Sequence, residues 1–383
     1  MKKSLIALAA LAVVSAASAQ SSVTVYGVAD VGMKTQKITN GTDVTKASGV
    51  ADGAMAGQRF GFKGTEDLGG GLSANFVIEQ GISMTSSTLT NFRSSTSMPQ
   101  TDAAITSTNN GRSSTSLNRQ SYVGLSSANL GQVRLGYQYT NVYEVSTLSG
   151  FNLGAEGVTG ADTVHTFGNA MVGGTRANAV TYITPMISGF SAQLQYGAAT
   201  GLNQYETTIA ADAVGVTKAE RTSVLLNYAN GPLIAKLAYT NYKNAAATSA
   251  VVPLNSALGA QKTGTLTQLG ASYDFGVLSV AGTYNNGEDG AAGTANATWK
   301  GQQVGVKVPF GPWAFIATTG TAKTTSAALG TINDVKQNQL AVQYSLSKRT
   351  TLYAYTGTTK NTGNAAASLD KNTSNVAGIN HTF

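Results

Sequence analysis

The sequence has 383 residues, with no cysteine and 44 glycines, and only 11% of its residues are charged. Typical soluble domains carry roughly 25% charged residues and about 7% glycine, so this chain avoids charge and is rich in glycine. The lack of cysteine excludes a disulfide scaffold, a thiolate metal site and a cysteine nucleophile. After the first twenty residues no apolar stretch is long enough for a membrane-spanning helix.

The first nineteen residues predict a signal peptide. Lys2 and Lys3 precede an apolar stretch from Leu5 to Val14, and Ala17-Ser18-Ala19 fits the small-residue cleavage pattern. Cleavage there leaves residues 20–383 as the mature, exported chain. Removing the two lysines from 25 basic residues leaves 23 against 18 acidic ones, a net charge of +5.

Period-2 alternation is the dominant signal in the mature chain. Between Gln132 and Thr140, for example, Val133 and Leu135 alternate with polar side chains. Sixteen segments show such a pattern and predict strands near 22–33, 58–65, 71–82, 117–126, 132–140, 176–185, 189–197, 220–230, 233–243, 264–275, 277–286, 298–309, 313–322, 335–347, 350–359 and 374–383.

The connections between these segments alternate between short turns and long polar loops. The turns are rich in Gly, Pro, Asn and Asp. The long loops span 34–57, 83–116, 141–175, 198–219, 244–263, 287–297, 323–334 and 360–373. This plan predicts an all-β transmembrane antiparallel barrel of about 16 strands, with short periplasmic turns and long extracellular loops. One strand face would meet lipid and stay uncharged, which explains the low charge content.

A soluble β-sandwich or β-helix adhesin is the alternative, since alternation alone allows it. The uniform apolar face and the regular change of loop length favour the barrel.

Several segments resemble the Gram-negative general porins, especially their betaproteobacterial and neisserial branch. The resemblance covers the mature chain at the level of strand order. It is strongest over 59–69 (Arg-Phe-Gly-Phe-Lys-Gly-Thr-Glu-Asp-Leu-Gly) and is also visible in the first strand (22–30), the hairpin 118–136 and the C-terminal strand (377–383). It implies a sixteen-stranded trimeric pore, and a third long loop (141–175) that folds into the lumen as a constriction.

One feature departs from this family. The Pro-Glu-Phe-Gly-Gly-like motif of the third loop is absent from 141–174, which leaves the detailed shape of the constriction open. The final residue, Phe383, fits the family's C-terminal aromatic residue. It is expected to serve as a girdle side chain and as part of the signal that barrel-assembly machinery recognises.

Basic side chains on the polar strand faces are candidates for the pore wall. Arg59, Lys63 and Arg134 alternate with apolar residues and should point into the lumen, because a charge on the lipid face would cost roughly 2–4 kcal/mol at mid-depth. Arg119 and Arg176 match the family's remaining wall arginines, and their role rests largely on that resemblance. The alternative role for each of these basic side chains is a structural salt bridge or a solvated charge.

Acidic side chains are expected to face these cations across the constriction of the pore. Asp30 and Glu79 are expected on the wall, and Glu144, Glu156 and Asp162 in the 141–175 loop. Opposed charges would set a transverse field that favours small hydrated ions. The three loop acids are equally well explained as surface or trimer contacts.

Catalysis and nucleic-acid binding find little support. The two histidines are far apart, no Gly-x-Ser-x-Gly elbow is present, and the basic residues are scattered singly. We therefore expect no enzyme, no cofactor, no resident metal and no nucleic-acid partner.

The leading hypothesis is a porin of the cell outer membrane, forming a water-filled channel for small hydrophilic solutes and preferring anions. The alternatives are a substrate-specific channel and a non-conducting adhesin or structural barrel. The expected partners are two further copies in a homotrimer, outer-membrane lipid including lipopolysaccharide, barrel-assembly machinery, and the solutes themselves.

Overall fold

The computed structural model describes residues 22–85, 119–151, 153, 176–198, 219–244, 262–291, 294–327, 330–363 and 371–383. These residues form seventeen strand segments and one short helix. In chain order they are β1 (Ser22–Asn40), β2 (Asp43–Asp52), β3 (Arg59–Gly69), β4 (Leu72–Gly81), β5 (Gln120–Ser127), β6 (Gly131–Tyr139), α1 (Asn141–Ser146), β7 (Arg176–Ile183), β8 (Phe190–Ala198), β9 (Ala219–Asn230), β10 (Leu233–Asn244), β11 (Lys262–Asp274), β12 (Ser279–Ala291), β13 (Thr294–Phe310), β14 (Trp313–Ser326), β15 (Gly330–Ser345), β16 (Thr350–Asn361) and β17 (Lys371–Thr382).

The strands close into one antiparallel barrel. Each strand pairs with its sequence neighbour, except that β2 and β3 both pair with β1, and β17 returns to pair with β1. The seventeen segments occupy sixteen wall positions, because β2 and β3 succeed one another along the same edge of β1. The prediction of a sixteen-stranded barrel is confirmed. A closed sheet leaves no unpaired edge, so every wall backbone group has a partner in hydrocarbon.

The turn sequences fix one rim of the barrel. Gly131 follows a short turn as the first residue of β6, and Gly231 lies within the turn between β9 and β10. Their φ values are 84° and 55°, in the left-handed region that residues other than glycine rarely adopt. These short connections lie at the periplasmic rim, and the strand ends that lead toward the long loops lie at the other rim.

The strands on the loop side are longer than the alternation predicts. Residues 34–52, expected as part of a polar loop, form the upper part of β1 and all of β2, joined at Gly41 and Thr42. β12 to β15 likewise extend into the expected loops at 287–297 and 323–334. These extensions carry polar residues on both faces, so they lack the apolar period that marks a strand at membrane depth.

The described part of the third long loop enters the barrel, as predicted. It comprises α1 and residues 147–151 and 153, which we call the inner segment. Val142 packs on Leu266 and Trp299, while Val145 packs on Leu225 and Ala238. Among the described residues, no helix is long and apolar enough to cross a membrane.

The inner segment lies against the polar wall face, which identifies that face as the lumen. On β15 it contacts Gln339, which is 4% exposed, whereas the neighbouring Leu340 on the opposite face is 61% exposed. The apolar outer face is therefore free for lipid, and the loop occupies the interior.

Candidate functional site

Three basic side chains stand on the lumen face of two strands, β3 and β6, which are separated by β4 and β5. Arg59 and Lys63 alternate with the exposed Phe62 on β3, and Arg134 alternates with the exposed Leu135 on β6. The Lys63 ammonium lies 5.3 Å from the centroid of the Tyr26 ring. None of the three forms an ion pair with a described residue.

Arg134 is held along the wall by neutral contacts. Its Nε donates to Gln132 Oε1 at 2.8 Å, and its guanidinium lies 5.2 Å from the centroid of the Tyr122 ring. Cation–π contacts of this kind orient an arginine without neutralising it. Its positive charge therefore remains available to solutes.

Glu79 and Arg119 form a buried ion pair. Arg119 Nε donates to Glu79 Oε1 at 2.6 Å, and the two side chains are 8% and 4% exposed. Tyr26 donates to the other carboxylate oxygen at 3.0 Å. The Tyr26 ring reaches Glu79 by crossing Gly61, where an added Cβ would stand 2.8 Å from the ring. Glu79 is thus fully engaged by its neighbours.

Arg119 and Arg176 converge on one tyrosine at the base of the inner segment. The Tyr139 hydroxyl accepts from Arg119 Nη2 at 2.9 Å and from Arg176 Nη2 at 3.3 Å. The Tyr139 ring stacks on Tyr143 of α1, with centroids 3.9 Å apart. Alternation along β7 groups Arg176 with the outward Val180, but Arg176 is the first residue of its strand and its guanidinium turns to Tyr139.

Asp30 is fully buried on the lumen face of β1. Its carboxylate accepts from Tyr353 Oη at 2.6 Å, from Asn380 Nδ2 at 2.8 Å and from the backbone N–H of Ala56 at 2.8 Å. Met55 N–H is a further donor. The carboxylate therefore fixes the segment between β2 and β3 to the wall, and this placement favours a structural role over the predicted contact with pore water.

Glu144 is joined to a wall lysine. Lys236 Nζ of β10 contacts Glu144 Oε2 at 3.2 Å and donates to the Glu144 carbonyl at 2.9 Å. This pair ties α1 to the wall. The predicted acids Glu156 and Asp162 lie outside the described residues.

Four aromatic residues of the site face into the barrel. Tyr26, Tyr139, Tyr353 and Trp299 contact wall charges or α1. The position of an aromatic residue along its strand does not tell whether its ring faces the lumen or the membrane interface. That depends on which residues lie next to it on the neighbouring strand. A glycine on the neighbouring strand, such as Gly61 opposite Tyr26, indicates an inward ring because it leaves room for the ring to lie across the wall.

Phe383 completes the wall. Its backbone N–H donates to the Gly27 carbonyl at 3.1 Å, and its carbonyl accepts from Gly27 N–H at 3.0 Å. The ring lies over Gly27, where a Cβ would collide with it. It is 48% exposed on the outer face, beside the apolar residues of β1.

The carboxamide of Gln339 fastens the far end of the inner segment. It donates to the Leu153 carbonyl and accepts from Leu153 N–H, both at 2.8 Å. A buried backbone group left unpaired costs about 1–3 kcal/mol. We expect Gln339→Leu to loosen the segment from β15 and to broaden the distribution of single-channel conductance. Asn338→Leu, one residue away on the outer face, is the control, and equal conductance in both variants would contradict the proposed fastening.

Comparison with known proteins agrees with this architecture. The family model described as Gram-negative porin matches residues 7–364. An outer membrane porin protein of Bordetella pertussis is 30% identical, with 100% of each chain covered. The major outer membrane protein P.IB of Neisseria lactamica is 33% identical over 51% of this chain and 50% of its own length.

A solved structure, the anion-selective porin from Comamonas acidovorans, superposes with a TM-score of 0.68 at 25% identity, covering 95% of this chain and 100% of that one. The Bordetella and Neisseria relatives confirm the branch to which the sequence motifs point. The chain belongs to the Gram-negative porin family.

Proposed function

We propose that this outer-membrane porin conducts small hydrophilic solutes by passive diffusion, prefers anions and works as a homotrimer after export by its N-terminal signal peptide. A sixteen-stranded barrel is wide enough to hold water along its axis. The inner segment narrows that passage, and the charges of the wall then act on solutes at short range.

The balance of lumen charge carries the anion preference. The lumen carboxylates Glu79 and Glu144 are each paired with a cation of the protein. Asp30 keeps its charge behind neutral donors, and it is fully buried away from the pore water. Arg59, Lys63 and Arg134 have no acidic partner among the described residues. The remaining field along this part of the wall is therefore positive. The similarity to an anion-selective porin supports the same sign.

The outer face supports assembly into a trimer. An apolar depression lies across β1 and β3 to β6, lined by Val23, Phe76, Val123, Leu125 and Val133, with glycine at its base. Such a surface suits close packing against another copy. Chemical crosslinking in mild detergent tests the proposed stoichiometry, and a purely monomeric species would contradict it.

The anion preference is tested by the double variant Arg59→Ala/Arg134→Ala. We expect its anion-to-cation permeability ratio to fall roughly two- to fivefold, since a unit charge about 4 Å from an ion contributes about 1 kcal/mol in water. The measurement is the reversal potential in a planar bilayer under a salt gradient. Lys348→Ala/Arg349→Ala, which removes two cations from a periplasmic turn, is the matched control.

A cation-selective wild type would overturn the proposed anion preference, and absence of conductance would overturn the channel. Equal reversal potentials in the variant and the wild type would show that other residues set the selectivity.

A further inference from the structure

The lower lumen wall carries an apolar patch across β1 and β3 to β5. Val77 of β4 lies on the lumen face, because it alternates with the outward side chains of Phe76 and Ile78. Tyr122 of β5 stands directly opposite Val77, and Tyr26 reaches the same region from β1. We call Tyr26, Val77 and Tyr122 the apolar strip. All three side chains are partly exposed.

Glycines leave room for the two rings of the strip. The Tyr26 ring crosses Gly61, and its hydroxyl donates to Glu79, which is the next lumen residue above Val77 on β4. Gly136 stands opposite Tyr122 on β6, so no side chain lies beside that ring at this position. The rings can therefore lie along the wall and present apolar surface to the passage.

Two cations lie over these rings. Lys63, which stands opposite Val77 on β3, is placed over the Tyr26 ring, and the Arg134 guanidinium is placed over the Tyr122 ring. Arg134 uses Nε to bind Gln132, and its two Nη groups donate to no acceptor among the described residues. The strip thus combines apolar surface with positive charge that no described carboxylate neutralises.

The inner segment lies against other parts of the wall. Its described contacts fall on strands from β8 to β17 and on Tyr139, at the upper end of β6. The strip lies lower, since Val77 is five residues from Leu72, with which β4 begins at the periplasmic turn. A solute that has passed the inner segment therefore meets the strip before it reaches the periplasmic rim.

Conduction of water and inorganic ions does not explain this strip. A barrel lumen that holds water is typically polar, and apolar surface in contact with water is unfavourable. Lower on the same wall the lumen side chains are polar and bind one another, as Ser73 does with Ser126 at 2.9 Å and Gln132 with Asn75 at 3.1 Å. The apolar strip interrupts this pattern at the point where the two cations lie.

We infer that the apolar strip and its two cations bind aromatic monocarboxylates as these solutes pass through the channel. The Nη groups of Arg134 match the two oxygens of a carboxylate. Tyr122 and Val77 then remove one face of the aromatic ring from water. Lys63, on the other side of Val77, adds a second positive charge. A compact inorganic anion uses the charge alone and leaves the apolar surface wet.

This inference rests on the proposed anion-preferring channel, and it names a class of solute within that function. The test compares benzoate with acetate, which has the same charge but no ring. Each is added to single channels of the full-length porin that carry a chloride current in a planar bilayer, and the concentration that halves the current is measured. We expect benzoate to act at an about fivefold lower concentration than acetate, from the ring contact and the apolar surface buried. Benzamide, which has the ring but no charge, should block more weakly than benzoate.

The variant Val77→Thr/Tyr122→Gln makes the strip polar and keeps both cations. Its preference for benzoate over acetate should fall below about twofold, because the apolar contact is lost. Ile234→Thr is the matched control, since it makes the same kind of change on the lumen face of β10, two residues from Lys236. It should keep the wild-type preference. Val77→Thr alone barely changes the shape of its side chain and should give an intermediate value if the double variant does not fold.

Equal block by benzoate and acetate in the wild type, an unchanged preference in both strip variants, or equal block by benzamide and benzoate would each overturn the inference. The reversal potential of the wild type in a chloride gradient separates this inference from the proposed function. Absence of anion preference in chloride would contradict the proposed function. An anion-selective wild type that does not distinguish benzoate from acetate would contradict the binding of aromatic carboxylates alone.

Discussion

Replacing Arg119 by methionine is expected to lower the free energy of unfolding by about 3–5 kcal/mol, because Glu79 would remain buried without its counter-charge. The pair is joined at 2.6 Å and almost completely excluded from solvent. Tyr26 would still donate to the Glu79 carboxylate, but a neutral donor does not balance a buried charge. Denaturant unfolding of the refolded porin in detergent measures the loss.

Two further variants make this experiment decisive. Glu79→Leu/Arg119→Met removes both charges together and should recover most of the stability, since an apolar pair of similar volume often replaces a buried ion pair without loss. Arg134→Met is the matched control, because Arg134 is only partly buried and, within the part of the chain that the structure describes, its hydrogen bond goes to Gln132. It should change stability by less than about 1 kcal/mol. Equal effects of Arg119→Met and Arg134→Met would contradict the structural role of the pair.

Asp30→Ala is expected to produce a loss of similar size, roughly 3–5 kcal/mol. The substitution leaves Tyr353, Asn380 and the backbone N–H groups of Met55 and Ala56 without their acceptor. Hydrogen bonds to a charged group contribute about 1.5–3 kcal/mol each to the free energy of unfolding, although these contributions are not additive. Asp30→Asn retains one acceptor oxygen and should be intermediate.

This substitution also separates two roles for Asp30. If the carboxylate fixes the segment between β2 and β3, stability falls and conductance becomes variable as that segment loosens. If it instead faced pore water, the reversal potential would shift while stability remained unchanged. Asp43→Ala, an exposed aspartate at the tip of the β1–β2 hairpin, controls for the simple loss of one negative charge.

The barrel could be predicted because lipid imposes a strict pattern on the chain. Wherever a strand crosses the apolar band, its outer face must be uncharged, so alternation such as Val133 and Leu135 against Arg134 is visible in the sequence. Above that band the constraint ends. The extension of β1 and the whole of β2 carry polar residues on both faces, with only scattered apolar residues such as Val44 and Val50, so their pattern predicts a loop.

The candidate site was only partly predictable. Alternation placed Arg59, Lys63 and Arg134 on the lumen face, because each lies within a regular strand. It could not reveal that Glu79 is engaged by Arg119, or that Asp30 meets Asn380. The latter contact joins residues 350 positions apart, and the closure of the whole barrel brings them together. No local pattern encodes such a pairing.

The contact between Gly27 and Phe383 has a consequence for the order of folding. The first strand cannot pair with β17 and Phe383 until those residues have been synthesised, so the ring closes only after all the other strands are present. Loop closure over such a distance is slow, and until then two strand edges stay open to other chains. A polypeptide that ends even a few residues early would lack the final backbone pairs. The barrel wall is therefore sealed only when every strand segment from β1 to β17 is in place.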